Sequence, residues 1–204
     1  MIKQRLQRKS ASSSTKGNPM QTTGYMNEIL KELSKAPDLI GDRSAEQLTN
    51  RIMEAGKIFT AGAGRSGLMA KSFTMRMMHM GLDAYVVGET VTPNLEEGDL
   101  LIISTGSGET KSLVPMAEKA KELGAIVAAV TIKPDSTIGK LADIVVGLPG
   151  SPKHESGEER ATIQPMGSLF EQTLLLFYDA VILRYMDKKG LTSDTMFGRH
   201  ANLE

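Results

Sequence analysis

Apolar residues recur at helical spacing in the first ordered-looking stretch, where Met26, Ile29, Leu30 and Leu33 fall within residues 25–39. Leu48, Ile52 and Met53 continue the pattern in a second stretch, so both read as amphipathic helices. The period then changes. Residues 57–61 read as a short strand, followed by a glycine-rich turn and a Met-rich helix over 68–80 that Gly81 ends. Further strands are predicted at 84–87, 100–103, 125–132 and 144–148, with helices at 113–123 and 138–142. Strands that alternate with helices, several of them continuous apolar runs, predict a parallel sheet covered on both faces, an α/β fold. Residues 150–160 read as a polar loop. Residues 169–186 form a helix that is apolar on nearly every side, too apolar to lie on a surface alone. Such a helix is either central or in a subunit interface, and the interface is the expectation.

Composition narrows the class. The chain has 204 residues with 24 basic and 24 acidic side chains, yet residues 1–19 carry Lys3, Arg5, Arg8, Lys9 and Lys16 and no acid. The remainder is therefore acidic by five charges, which argues against a nucleic-acid partner. Residues 1–19, with their Ser-rich 10–15 segment, read as a flexible N-terminal extension. A vector-derived or upstream addition before a natural start at Met20 is one reading of it, and a functional basic arm is the other. Residues 20–204 are expected to form a single domain with flanking helices. Cysteine is absent, which excludes disulfides, thiolate metal sites and cysteine nucleophiles. No apolar run approaches the roughly 18–20 residues of a membrane span, and the N-terminus lacks a signal-peptide core. A cytoplasmic protein with no membrane partner is expected.

Candidate chemistry concentrates in two loops. Residues 100–111 read Leu-Leu-Ile-Ile-Ser-Thr-Gly-Ser-Gly-Glu-Thr-Lys, an apolar strand entering a glycine and hydroxyl loop and then a helical stretch. Such a loop suits an anion: helix-start N–H groups and their partial positive charge favour phosphate, and Ser104, Thr105, Ser107 and Thr110 add neutral donors. An ordinary turn with Thr110 as helix cap is the alternative. The other loop, Gly62-Ala-Gly-Arg-Ser-Gly67, matches G-x-G-x-x-G, with Glu89 some twenty residues on, which taken alone is a dinucleotide pattern. A second phosphate-type loop is foreign to that pattern, and Thr110 stands where a Walker A loop needs glycine. Loops at the carboxyl ends of neighbouring parallel strands converge on one crevice, so the pair suits one small phosphorylated ligand.

Thr105-Gly-Ser-Gly-Glu-Thr110 resembles the phosphosugar loop of the sugar isomerase (SIS) domain family. The segments from Gly62 to Phe73, Arg76 to Gly81, Val87 to Glu89 with Thr92-Pro93, and Gln164 to Glu171 are similar to the 6-phospho-3-hexuloisomerases within it. The resemblance covers Met20 to Glu204. It implies a flavodoxin-like three-layer α/β/α sandwich with a five-stranded parallel sheet, a homotetramer, and no metal or organic cofactor. It also implies conversion of 3-hexulose 6-phosphate to fructose 6-phosphate in the ribulose monophosphate route of formaldehyde fixation. Ser66, Thr105, Gly106, Ser107, Gly108, Glu109, Thr110 and Lys111 would then hold substrate, and Glu171 would be the proton-transferring base. A non-catalytic phosphosugar-binding SIS module is the competing expectation, and a nicotinamide-dependent oxidoreductase rests only on the first glycine loop.

Each candidate also has a plainer role. Ser168-Leu-Phe-Glu171 has the form of a capping box, although the apolar flanks Leu169, Phe170, Leu174 and Leu175 also suit a carboxyl tuned for proton transfer. His79 stands near a helix end, where a donor or cation is favoured; as a catalytic group it would assist ring opening or polarise a substrate oxygen. His200, in a terminal tail, would fit a neighbour's cleft. Arg65 pairs either with phosphate or with an acidic residue, and Glu89 either contacts a sugar hydroxyl or lies in a solvated loop. The Met cluster around Met75 to Met80 reads as packing.

Overall fold

A computed structural model describes residues 19–151 and 162–203. The expected extension, apart from Pro19, and most of the expected 150–160 loop therefore lie outside the described residues. Five strands, β1 (Ile58–Gly62), β2 (Ala84–Val86), β3 (Leu100–Ser104), β4 (Ile126–Thr131) and β5 (Ile144–Gly147), form one parallel sheet in the order β2-β1-β3-β4-β5. The order reverses direction between β1 and β3, which opens a crevice at the carboxyl ends of those two strands.

Strand alternation explains the apolar runs. Leu100 and Ile102 enter one core cluster while Leu101 and Ile103 enter the other, so β3 is buried on both faces. One face is covered by α2 (Asp42–Glu54), α3 (Gly64–His79) and α6 (Ser168–Lys189). The other carries α4 (Val114–Glu122) and α5 (Thr137–Leu141). The result is the expected three-layer α/β/α sandwich. Outside it, α1 (Thr22–Leu33) packs on α6, and α7 (Ser193–Phe197), a short helix that the pattern did not predict, follows the left-handed Gly190 that ends α6.

Two predicted helices differ in ways that matter for the site. The glycine turn 62–67 is not a free loop, because α3 already starts at Gly64. A Cβ on Gly67 would stand 2.5 Å from the Gly62 carbonyl oxygen, so these two glycines let strand and helix touch. The apolar helix α6 is central within the chain. Phe170, Leu174, Tyr178 and Val181 are buried within the chain, with α3 on one side and α1 and α2 on others, while Leu176 and Leu183 alone of its large apolar side chains are markedly exposed. The Tyr178 ring stacks on Phe73 at 4.1 Å between centroids, and its hydroxyl meets Ser104 Oγ at 2.5 Å. Burial holds the Tyr178 hydroxyl far above its ordinary pKa, so it remains a neutral hydrogen-bonding group.

Candidate active site

A cavity of about 440 Å³ opens where the carboxyl ends of β1 and β3 diverge. Its walls come from the start of α3, the loop after β3, the turn after β4 and the start of α6. The loop after β3 is self-braced: Thr105 Oγ1 accepts from the Gly108 N–H at 3.2 Å and lies 3.2 Å from Thr110 Oγ1, and Ser107 Oγ accepts from the Glu109 N–H. Gly108 adopts φ +67°, and a Cβ there would stand 1.8 Å from Ser136 Oγ. Only glycine fits that crossing. The N–H groups of Gly106, Ser107 and Thr110 reach no acceptor among the described residues, which leaves three donors on the wall of the cavity.

Positive potential comes from a different place than expected. The helix following this loop, α4, begins only at Val114, after a turn at Thr110–Leu113. It is α3 and α6 whose N-termini border the cavity, through Ala63, Gly64 and Ser66 and through Gly167 and Phe170. Unpaired N–H groups and partial positive charge at two long helices favour an anion between them.

Glu171 lines the same cavity and is 3% exposed. The capping-box reading fails: Gly167 is the N-cap of α6, no side chain caps it, and Ser168 Oγ accepts instead from Arg65 Nη1 at 3.0 Å. The same Arg65 nitrogen stands 3.1 Å from Glu171 Oε2, off the hydrogen-bonding line, so that buried oxygen accepts no hydrogen bond among the described residues. A buried carboxylate on the wall of a cavity, with a counter-charge beside it, can take a proton from a ligand bound there. Arg65 is thus a partner of the carboxylate.

Ser66, Thr105, Gly106, Ser107 and Thr110 line the cavity; Gly108 shapes it from behind. Ser104 also borders it, but its hydroxyl is committed to Tyr178. Glu109 and Lys111 do not line it. The Glu109 carboxylate accepts the Thr137 N–H at 2.8 Å at the start of α5, and these bonds hold it below the usual carboxylate range. Lys111 is exposed in the turn before α4. Glu89 pairs with Lys71 on the surface. His79 is buried at the opposite end of α3, fifteen residues from Gly64 and so about 22 Å away. It stacks on His200 at 5.3 Å; burial, Arg76 and His200 all lower its pKa. Sequence reasoning missed Lys133, which, with Glu171, supplies the charged side chains among the described lining residues. Its position just beyond β4, the neighbour of β3, was the available signal. No group of three or more potential metal ligands gathers among the described residues, and no helix there is long and apolar enough to cross a membrane.

A SIS domain model matches residues 51–183. The chain belongs to the SIS domain family. Within it, the 3-hexulose-6-phosphate isomerase of Bacillus subtilis is 63% identical over 185 residues, covering 91% of this chain and 100% of that one. The 3-hexulose-6-phosphate isomerase of Mycobacterium gastri is 42% identical, over 87% of this chain and 92% of that one. The crystal structure of a hypothetical protein from Methanococcus jannaschii, from which a molecular function of 3-hexulose-6-phosphate isomerase was inferred, matches with a TM-score of 0.74. It is 36% identical and covers 88% of this chain and 96% of that one.

Proposed function

We propose that the protein converts 3-hexulose 6-phosphate (D-arabino-hex-3-ulose 6-phosphate) to fructose 6-phosphate through an enediolate, in the ribulose monophosphate route. The observation that carries this reading is the buried Glu171 carboxylate, paired with Arg65, on the wall of one cavity with the phosphate-type loop. The SIS fold and the 63% identity to the Bacillus subtilis isomerase support it. Glu171 takes the proton on carbon 2, the carbonyl moves from carbon 3 to carbon 2, and the same carboxyl returns a proton to carbon 3 while the O2 hydroxyl proton passes to O3. Ser66, the N–H groups of Gly106, Ser107 and Thr110 and the hydroxyls of Thr105, Ser107 and Thr110 hold the phosphate, with Lys133 as an added cation. The helix N-termini of α3 and α6 and the Arg65 guanidinium stabilise the negative charge that develops on the enediolate oxygens.

The working unit is residues 20–204, a reading supported by the 185-residue match that spans all of the Bacillus protein. We infer a cytoplasmic homotetramer; exposed Leu68, Met75 and Met78 on α3 and Leu176 and Leu183 on α6 support assembly. A catalytic role for His79 requires the cavity of a second copy, because its own lies at the other end of α3. Incubation with a hexulose-phosphate synthase, ribulose 5-phosphate and formaldehyde tests the function: fructose 6-phosphate is the expected product. Phosphosugar binding without product would instead make the chain a non-catalytic module.

A further inference from the structure

Glu32, in the last turn of α1, lies outside the cavity yet grips the segment that leads into its base. Its Oε2 accepts from Thr162 Oγ1 at 2.5 Å and from Gln164 Nε2 at 2.8 Å, and its Oε1 accepts the Ile163 N–H at 2.7 Å. Thr162 Oγ1 in turn accepts the Gln164 N–H at 3.0 Å. Burial pushes the Glu32 pKa up, but the bonds from Thr162, Gln164 and Ile163 outweigh it and hold the carboxyl below its usual range. The clamp is therefore charged, and charge-assisted, at neutral pH.

The turn beyond the clamp needs support. Met166 has φ 60°, the one left-handed non-glycine among the described residues, a conformation that an L-residue adopts only at a cost. Such a residue persists when its surroundings over-determine it. Glu32 fixes the turn on one side, and on the other the Ser168 N–H donates to the Pro165 carbonyl while Arg65 donates to Ser168 Oγ. Gly167, the α6 N-cap, comes directly after Met166, and Glu171 lies one turn further on.

We propose that Glu32 is a positioning residue for the active-site base: by clamping residues 162–164 it fixes the left-handed turn at Met166, and so the direction in which α6 presents Glu171. This rests on the isomerase reading above. Among the described residues the Glu32 carboxylate bonds to Thr162, Ile163 and Gln164, none of which lines the cavity or belongs to the phosphate-type loop, so its loss acts on turnover and spares substrate affinity. A shift of about 1 Å in a reacting group can cost on the order of a hundredfold in rate.

The test compares Glu32→Ala and Glu32→Gln with the wild type and with Glu46→Gln, which removes a charge from the pairs with Arg184 and Lys188 near the other end of α6. Steady-state isomerisation is measured at a temperature where circular dichroism shows all four folded. Glu32→Ala is expected to lose at least about tenfold in kcat with KM within about threefold, Glu32→Gln to lose less, and Glu46→Gln to stay within about twofold. Amide exchange in the 162–171 peptide is expected to quicken in Glu32→Ala and not in Glu46→Gln. If Glu32→Ala does not fold, Thr162→Val, which at nearly constant shape removes one donor to Glu32 and the acceptor of the Gln164 N–H, replaces it, with a smaller kcat loss expected. An unchanged kcat in the folded Glu32 variants, or a loss confined to KM, overturns the proposal. A wild type that forms no product overturns the isomerase reading instead; exchange then decides alone, and unaltered exchange at 162–171 overturns the clamp.

Discussion

Replacing Gly108 by Ala attacks the loop at its tightest crossing. The residue sits at φ +67°, and its new Cβ would meet Ser136 Oγ at 1.8 Å and Ser136 Cβ at 2.3 Å. A left-handed alanine costs about 1–2 kcal/mol. Relief of the clash costs about 1–3 kcal/mol more, because Cβ and not only the hydroxyl tip is in the way. Ser136 cannot simply swing aside, since its Oγ is the N-cap of α5 and accepts the Gly139 N–H, an interaction of about 1 kcal/mol. A total of about 3–6 kcal/mol corresponds, at roughly 2–4 °C per kcal/mol for a chain of this size, to a melting point lower by on the order of 10 °C. The same displacement moves the donors of Gly106 and Ser107, so KM is expected to rise by about tenfold. Thermal melting by circular dichroism and steady-state kinetics read both effects. Ser136→Gly in the Gly108→Ala background removes the obstructing Cβ and is expected to restore the clash part while leaving the left-handed cost and the loss of the α5 side-chain cap. A Gly108→Ala protein that melts within about 2 °C of wild type with unchanged KM would refute the reasoning.

Lys133→Ala is expected to raise KM by about tenfold with kcat little changed, and the effect should shrink at high salt; a loss confined to kcat would contradict an anion-binding role. Tyr178→Phe strands the fully buried Ser104 hydroxyl, so stability should fall by about 1–3 kcal/mol, measured by denaturant titration. Glu46 has its pKa lowered to about 2 by hydrogen bonds from Arg184 and Lys188. Because the folded value lies below the unfolded one, its contribution is complete above about pH 4.5 and fades as pH falls toward 2. The difference in melting temperature between wild type and Glu46→Gln should track that course, and a difference that grows on acidification would contradict it.

The sheet was legible because its strands are either short apolar runs or buried on both faces, as β3 and β4 show by sending alternate residues into two cores. The order of the strands is not in that pattern, because an apolar run does not record which strand lies beside it. Helix α6 was found but its neighbours within the chain were not, since an all-round apolar helix carries no record of whether sheet, α1 or another copy covers it. Glu171 came with the family resemblance; the plainer role its neighbours offered, a capping box, is one that the fold does not use, and its partner, Arg65, is 106 positions away and follows a different strand. Ser104 was counted among the phosphate donors, yet it shares strand parity with Leu100 and Ile102, and that parity already pointed it at the α6 side. Glu109 was drawn in by adjacency to the loop, and the turn at Gly108 sends it to α5 instead. The Glu32 clamp left no trace in either segment, because nothing local links the end of α1 to residue 162.

The most direct test of the central claim is the turnover of Glu171→Gln on 3-hexulose 6-phosphate beside a binding measurement on the same protein. The variant keeps size and hydrogen-bonding shape but cannot accept the carbon-2 proton. The account predicts a kcat lower by about a hundredfold or more with substrate affinity within a few-fold of wild type. A folded Glu171→Gln protein that retains kcat within about tenfold would show that the proton moves through another group.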